Sequence, residues 1–120
     1  MKYLLFLTLL ISNLTFAQSI SGTIKSETKV PEGALYVFAK KFNSKMPMPI
    51  AVKKIENPKF PLKFKLSSEN VMMKQMKFIG PFKITARISP SGLATDKSGV
   101  EVSTVEKVAL DQKDVELTFK

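Results

Sequence analysis

Apolar and polar residues alternate strictly in three stretches of this chain, and a two-residue period limits it to a fold of half-buried strands. Phe82, Ile84, Ala86 and Ile88 alternate with Lys83, Thr85, Arg87 and Ser89. Phe60, Leu62, Phe64 and Leu66 alternate with Pro61, Lys63, Lys65 and Ser67, and Val115, Leu117 and Phe119 with Glu116, Thr118 and Lys120. Each reads as a strand with one dry and one wet face. Ile20, Gly22 and Ile24 predict a further strand, residues 50–55 another, and the β-branched stretch 100–108 one more. The run Leu35-Tyr36-Val37-Phe38-Ala39 is apolar at every position, which predicts a strand buried on both sides and reaching Phe42.

Between these segments lies turn chemistry. Pro31-Glu32-Gly33 and Ser89-Pro90-Ser91-Gly92 fit tight turns, with proline fixing φ and glycine supplying positive φ. Asn57-Pro58 and Gly80-Pro81 end segments, and loops are expected at Asp96-Lys97-Ser98-Gly99 and Asp111-Gln112-Lys113. Only residues 67–77 break the pattern. There Ser67 or Ser68 is a candidate N-cap and Met72, Met73 and Met76 fall at helical spacing, so one or two helical turns are expected. The expected fold is therefore all-β: an antiparallel immunoglobulin-like β-sandwich of about seven strands with one short helical turn. The tryptophan and disulfide of antibody domains are absent, so the expectation concerns architecture alone.

The first seventeen residues read as a cleaved signal peptide. Lys2 is a minimal basic start, Leu4 to Ile11 is an apolar stretch too short to span a bilayer, and Thr15 and Ala17 place small residues before a cut at Gln18. Residues 18–120 are then one domain with a single core, delivered to the periplasm. They keep 18 of the 19 basic residues and all 10 acidic ones, a net charge of +8.

Cysteine and histidine are both absent, so packing alone must hold the domain, and the commonest general base and metal ligands are missing. Ser68, Ser91 and Ser98 have no histidine to activate them. Asp96 and Asp111 read as turn residues and Glu69 as part of a helix cap. The five glycines stand singly, so no phosphate-cradling loop is formed. The chain is expected to be non-enzymatic, with no cofactor and no metal. Arg87 is its only arginine and no aromatic platform accompanies it, which argues against nucleic acid. The lysines are expected to be solvated faces that protect sheet edges, with membrane contact at most peripheral.

The segment Met46-Pro47-Met48-Pro49-Ile50 is the clearest candidate for a binding surface. Each proline lacks an N–H and extends the residue before it, so two flexible thioethers sit on a stiff ribbon at a sheet edge. Met46, Met48 and Ile50, with Met72, Met73 and Met76 of the helical turn, form the expected contact surface for another polypeptide. A different use of the same residues is a Met-rich Cu(I) carrier, since five methionines lie between residues 46 and 76 and thioethers select Cu(I). A β-sandwich binding domain with an unrelated protein partner is the third reading.

Taken in order, Leu35-Tyr-Val-Phe-Ala-Lys, Met46-Pro-Met-Pro-Ile-Ala-Val, Phe60-Pro-Leu-Lys-Phe-Lys-Leu and Ala86-Arg-Ile-Ser-Pro-Ser-Gly-Leu-Ala form a joined motif set. The set resembles the C-terminal periplasmic domain of the cytochrome c-type biogenesis proteins CcmH/CycH (CcmI in some bacteria) over nearly all of residues 20–119. That domain reads Val-Phe-Ala-Arg, Pro-Met-Pro-Leu-Ala-Val, Phe-Pro-x-x-Phe-x-Leu, then an Asp-Asp-Ser-Met-Ala-Met turn and an Ala-Arg-Ile-Ser-x-Ser-Gly-x-Ala hairpin. Here the turn becomes Ser67 to Met73 with one carboxylate, Glu69, and the Gly-Asp pair after the hairpin is missing. Transmembrane helices and tetratricopeptide repeats are usual in that family; here a signal peptide is expected in their place. The resemblance implies a periplasmic accessory module of c-type cytochrome maturation, whose partner is apocytochrome c or a haem-lyase or other maturation component.

Overall fold

A computed structural model of the chain describes residues 19–30, 32–45 and 48–120. The expected signal peptide, Pro31 of the first turn, and Met46 with Pro47 lie outside the described residues. Among the described residues seven strands follow one another: β1 (Ser19–Ser26), β2 (Ala34–Lys41), β3 (Ala51–Ile55), β4 (Leu62–Ser67), β5 (Phe82–Ser89), β6 (Glu101–Ser103) and β7 (Val115–Phe119). They form two sheets, ordered β4-β1-β7 and β3-β2-β5-β6. Every pairing is antiparallel except that of β1 with β7. The inner faces close on one core, in which Ile20, Leu35, Leu66, Phe82, Ile84 and Ile88 are fully buried.

The parallel β1–β7 pair depends on a glycine. A side chain at Gly22 would overlap the carbonyl of Val115, its ladder partner, so only hydrogen lets the two backbones approach. Gly92 has φ 85° and closes the turn after β5, donating its N–H to Ser89 O at 3.1 Å.

One local expectation is met and two are corrected. The short helical turn expected within residues 67–77 is one 3₁₀ turn, Ser68–Asn70. Ser67 caps it by accepting from the Glu69 N–H, and the Asn70 side chain answers by accepting from the Ser67 N–H at 2.9 Å. The helix goes no further because the chain leaves it extended at Val71, which bridges Ala51 at the end of β3.

The strand expected over 100–108 is only three residues long. Thr104 follows β6 and exchanges bonds with Ile84: its N–H donates to Ile84 O, and its Oγ1 accepts from Ile84 N–H at 3.0 Å. A side chain thus takes one ladder position, and the backbone swings out at Val105, which is 88% exposed. It returns at Val108, which exchanges two 2.8 Å bonds with Phe82.

The second correction concerns β5, whose expected wet face is dry. Beyond Lys83, the residues Thr85, Arg87 and Ser89 are as buried as the apolar residues between them. The loop 90–97 and strand β6 cover them, and each finds a partner: Thr85 Oγ1 meets Ser103 Oγ at 2.8 Å, and Ser89 Oγ donates to Leu93 O at 2.7 Å. Among the described residues no buried side-chain polar atom lacks a hydrogen-bond partner.

Candidate functional site

The outer face of the β3-β2-β5-β6 sheet is the unusual surface of this molecule. On β2 the inward positions Leu35, Val37 and Ala39 enter the main core, and the outward ones Ala34, Tyr36 and Phe38 form a second buried cluster with Val52 of β3. The register places Tyr36 between Lys54 and Arg87, and Phe38 between Val52 and Thr85. The two rings stack, with centroids 5.9 Å apart and planes 11° from parallel.

A cation lies over each ring. The Arg87 guanidinium lies 4.9 Å from the Phe38 ring centre, and Lys54 Nζ 5.8 Å from that of Tyr36. Lys54 also pairs with Glu56 at 3.0 Å, and the bond to that carboxylate raises its pKa. Arg87 is itself buried, with Nε donating to Glu101 Oε1 at 2.7 Å and Nη1 to Ala94 O at 3.0 Å. The Tyr36 hydroxyl donates to Gly92 O at 2.7 Å. Three side chains of the sheet, Tyr36, Arg87 and Ser89, therefore tie the loop 90–97 down from below.

Asp96 ties the same loop from within. Its carboxylate accepts from the Ser98 hydroxyl at 2.6 Å, the Ser98 N–H at 2.9 Å and the Ser91 N–H at 3.1 Å. The Ser98 bonds, then those of Ser91, hold its carboxyl well below the usual carboxylate range. Asp96 is thus a turn residue, as its sequence context predicts.

Between this loop and the segment leading into β3 lies a groove of about 530 Å³, with Tyr36, Phe38 and Val52 lining it, Pro49 and Met72 along one side, and Ala94, Thr95 and Lys97 along the other. Most of its lining is apolar. Its ionisable groups are Tyr36, Lys40, Arg87 and Lys97, a set without a nucleophile beside a base.

The expected contact residues are only partly brought together. Met72 N–H donates to Ile50 O at 2.9 Å, and Val71 bridges Ala51, so the two methionine-bearing segments do meet at the edge of β3. Met72 is 45% exposed and borders the groove. Met48 and Met73 are exposed but do not line it, and Met76 is half-buried in the following turn. Ile50 packs against the main core. Met46 lies outside the described residues. The floor of the groove, Tyr36, Phe38, Val52 and Arg87, was not among the expected contacts. Its signal in the sequence was the Leu35–Ala39 run, whose outward half had to be covered by something.

Comparison with known proteins agrees with this architecture. A family model described as the cytochrome c-type biogenesis protein H Ig-like domain matches residues 14–119. An uncharacterized protein of Aquifex aeolicus (strain VF5) is 31% identical over 86 residues, which is 68% of this chain and 57% of that protein. The chain thus spans little more than half the length of that relative. An alternative pilotin from the type II secretion system of Vibrio cholerae superimposes with a TM-score of 0.53 at 20% identity, over 86% of this chain and 95% of the pilotin. At that identity the likeness is one of fold.

Proposed function

We propose that this chain, which belongs to the family of cytochrome c-type biogenesis protein H Ig-like domains, is a non-enzymatic accessory module of c-type cytochrome maturation that holds a polypeptide. Its partner is an apocytochrome c or a component of the maturation machinery. The family match over residues 14–119 is the observation that carries the reading. The groove gives it a physical basis: stacked aromatics, an arginine and a methionine on a rigid sheet are the side chains that dominate protein contacts. Met72 at the rim adds pliable apolar surface that conforms to a partner. The working compartment is the periplasm, reached by cleavage after Ala17.

The test uses the full chain expressed in a bacterium that makes c-type cytochromes. Fractionation should place it in the periplasm with Gln18 as its first residue. The immobilised protein should retain an apocytochrome c or a maturation component, identified by mass spectrometry. Recovery of neither from a cytochrome-rich host overturns the reading.

A further inference from the structure

Lys40 and Lys83 stand directly opposite one another in the β2–β5 ladder. Antiparallel partners hold their Cβ atoms about 4.5–5.5 Å apart, and like charges at that spacing repel. The ion pairs of the described residues are Lys25–Glu116, Lys54–Glu56 and Arg87–Glu101, so neither lysine is neutralised by one. Strand alternation puts both on the outer face, in line with Phe38 and Thr85.

These two lysines line a second cleft, of about 550 Å³, together with Lys41, Ser103 and Thr104. Lys40 also lines the aromatic groove. The two clefts therefore meet at Lys40 and run end to end along β2. One half offers Val52 and Met72 over a floor of buried Tyr36 and Phe38, and the other offers three lysines. No carboxylate lines either cleft.

We infer that this face docks an extended polypeptide segment in which an aromatic or branched apolar side chain is followed within a few residues by Asp or Glu. The inference rests on the partner-holding role above and specifies the partner's chemistry. Four residue steps separate Tyr36 from Lys40 along β2, about 13 Å at ~3.3 Å per residue. An extended peptide places its apolar and acidic side chains across the same span with a similar number of residues. The apolar side chain leaves water for Val52 and the exposed Met72 above the Tyr36–Phe38 floor, and the carboxylate relieves the repulsion between Lys40 and Lys83. Long-range attraction from the basic face speeds the encounter.

The test measures fluorescence anisotropy of a dye-labelled synthetic peptide whose centre reads Leu-Phe-Asp-Glu-Asp, beside a counterpart with lysine at each acidic position. The full chain should bind the acidic peptide at least about tenfold more tightly than its counterpart. Lys40→Glu, which places opposite charges across the ladder and so keeps the fold, should weaken the acidic peptide by about tenfold or more. Lys63→Glu makes the same change in net charge on the outer face of the other sheet and should alter binding by less than about twofold. Equal losses in the two variants, or equal binding of the two peptides, would mean that only net charge is read and would overturn the inference. Lys40-dependent binding to phosphatidylglycerol vesicles without binding to the peptide would overturn it in favour of a lipid surface. A Lys40→Glu chain that still retains its maturation partner at the wild-type level leaves the accessory role standing and removes this groove from it. A chain that binds the acidic peptide yet retains no maturation partner does the reverse.

Discussion

Arg87 Nε donates to Glu101 Oε1 at 2.7 Å straight across the β5–β6 ladder, while the same guanidinium packs against the Phe38 ring. One side chain thus joins the short edge strand, the aromatic floor and, through Ala94 O, the covering loop.

The partners of this pair are unequally buried: the Arg87 side chain is 8% exposed and that of Glu101 46%. Arg87→Ala should cost about 2–4 kcal/mol, because it also strips the ring contact and the loop anchor. Glu101→Ala should cost only about 1 kcal/mol, since water reaches the arginine edge it vacates. Urea unfolding of the two variants checks the order, and equal losses would contradict it.

Tyr36→Phe removes the bond to Gly92 O and leaves the stacked ring in place. We expect a loss of about 1 kcal/mol. Amide exchange should rise in residues 92–97 and stay unchanged in β1 and β7. A rise spread over both sheets would show that the hydroxyl supports the whole fold and not this loop.

Asp96 makes the loop sensitive to acid. Its folded pKa lies below the ordinary 3.8, so its contribution is present above that value and is lost as pH falls through and below it. Exchange of the Ser91 and Ser98 amides, corrected for intrinsic rate, should accelerate as pH drops from about 5 to about 3. In Asp96→Asn the corrected rates should no longer vary over that window. A wild-type profile as flat as that of the variant would contradict the assignment.

Gly22→Ala tests the parallel β1–β7 pair. With the Val115 carbonyl in the way of a methyl group, the strands must part, at a cost of about 3 kcal/mol or more. Gly92→Ala meets no atom within 4 Å, so only its positive φ resists, at about 1 kcal/mol. Thermal unfolding of the two variants should show that ranking.

Strand positions and the inner core were legible because alternation is a local property: Phe82 to Ile88, Phe64 to Leu66 and Val115 to Phe119 face the core as their spacing predicts. The groove was half legible. Burial of Leu35–Ala39 on both sides follows from its composition, but what covers the outer side depends on the loop 90–97 folding back over the sheet, a long-range event. For the same reason Thr85, Arg87 and Ser89 read as solvent-facing: polarity predicts water unless a partner such as Ser103, Glu101 or Leu93 O is known. The 3₁₀ turn was legible from its Ser67 cap, but it stops before Met72, Met73 and Met76, whose helical spacing is cheap to satisfy by chance. Pairing of Val71 with Ala51 then overrides it.

The most direct test of the account is amide hydrogen exchange of the full chain with and without an excess of unfolded apocytochrome c. Binding in the groove predicts protection in β3 and the segment before it, at Met72, and in the loop 90–97, with β4 and β7 unchanged. Absence of protection anywhere, or protection confined to the β4-β1-β7 sheet, would contradict it.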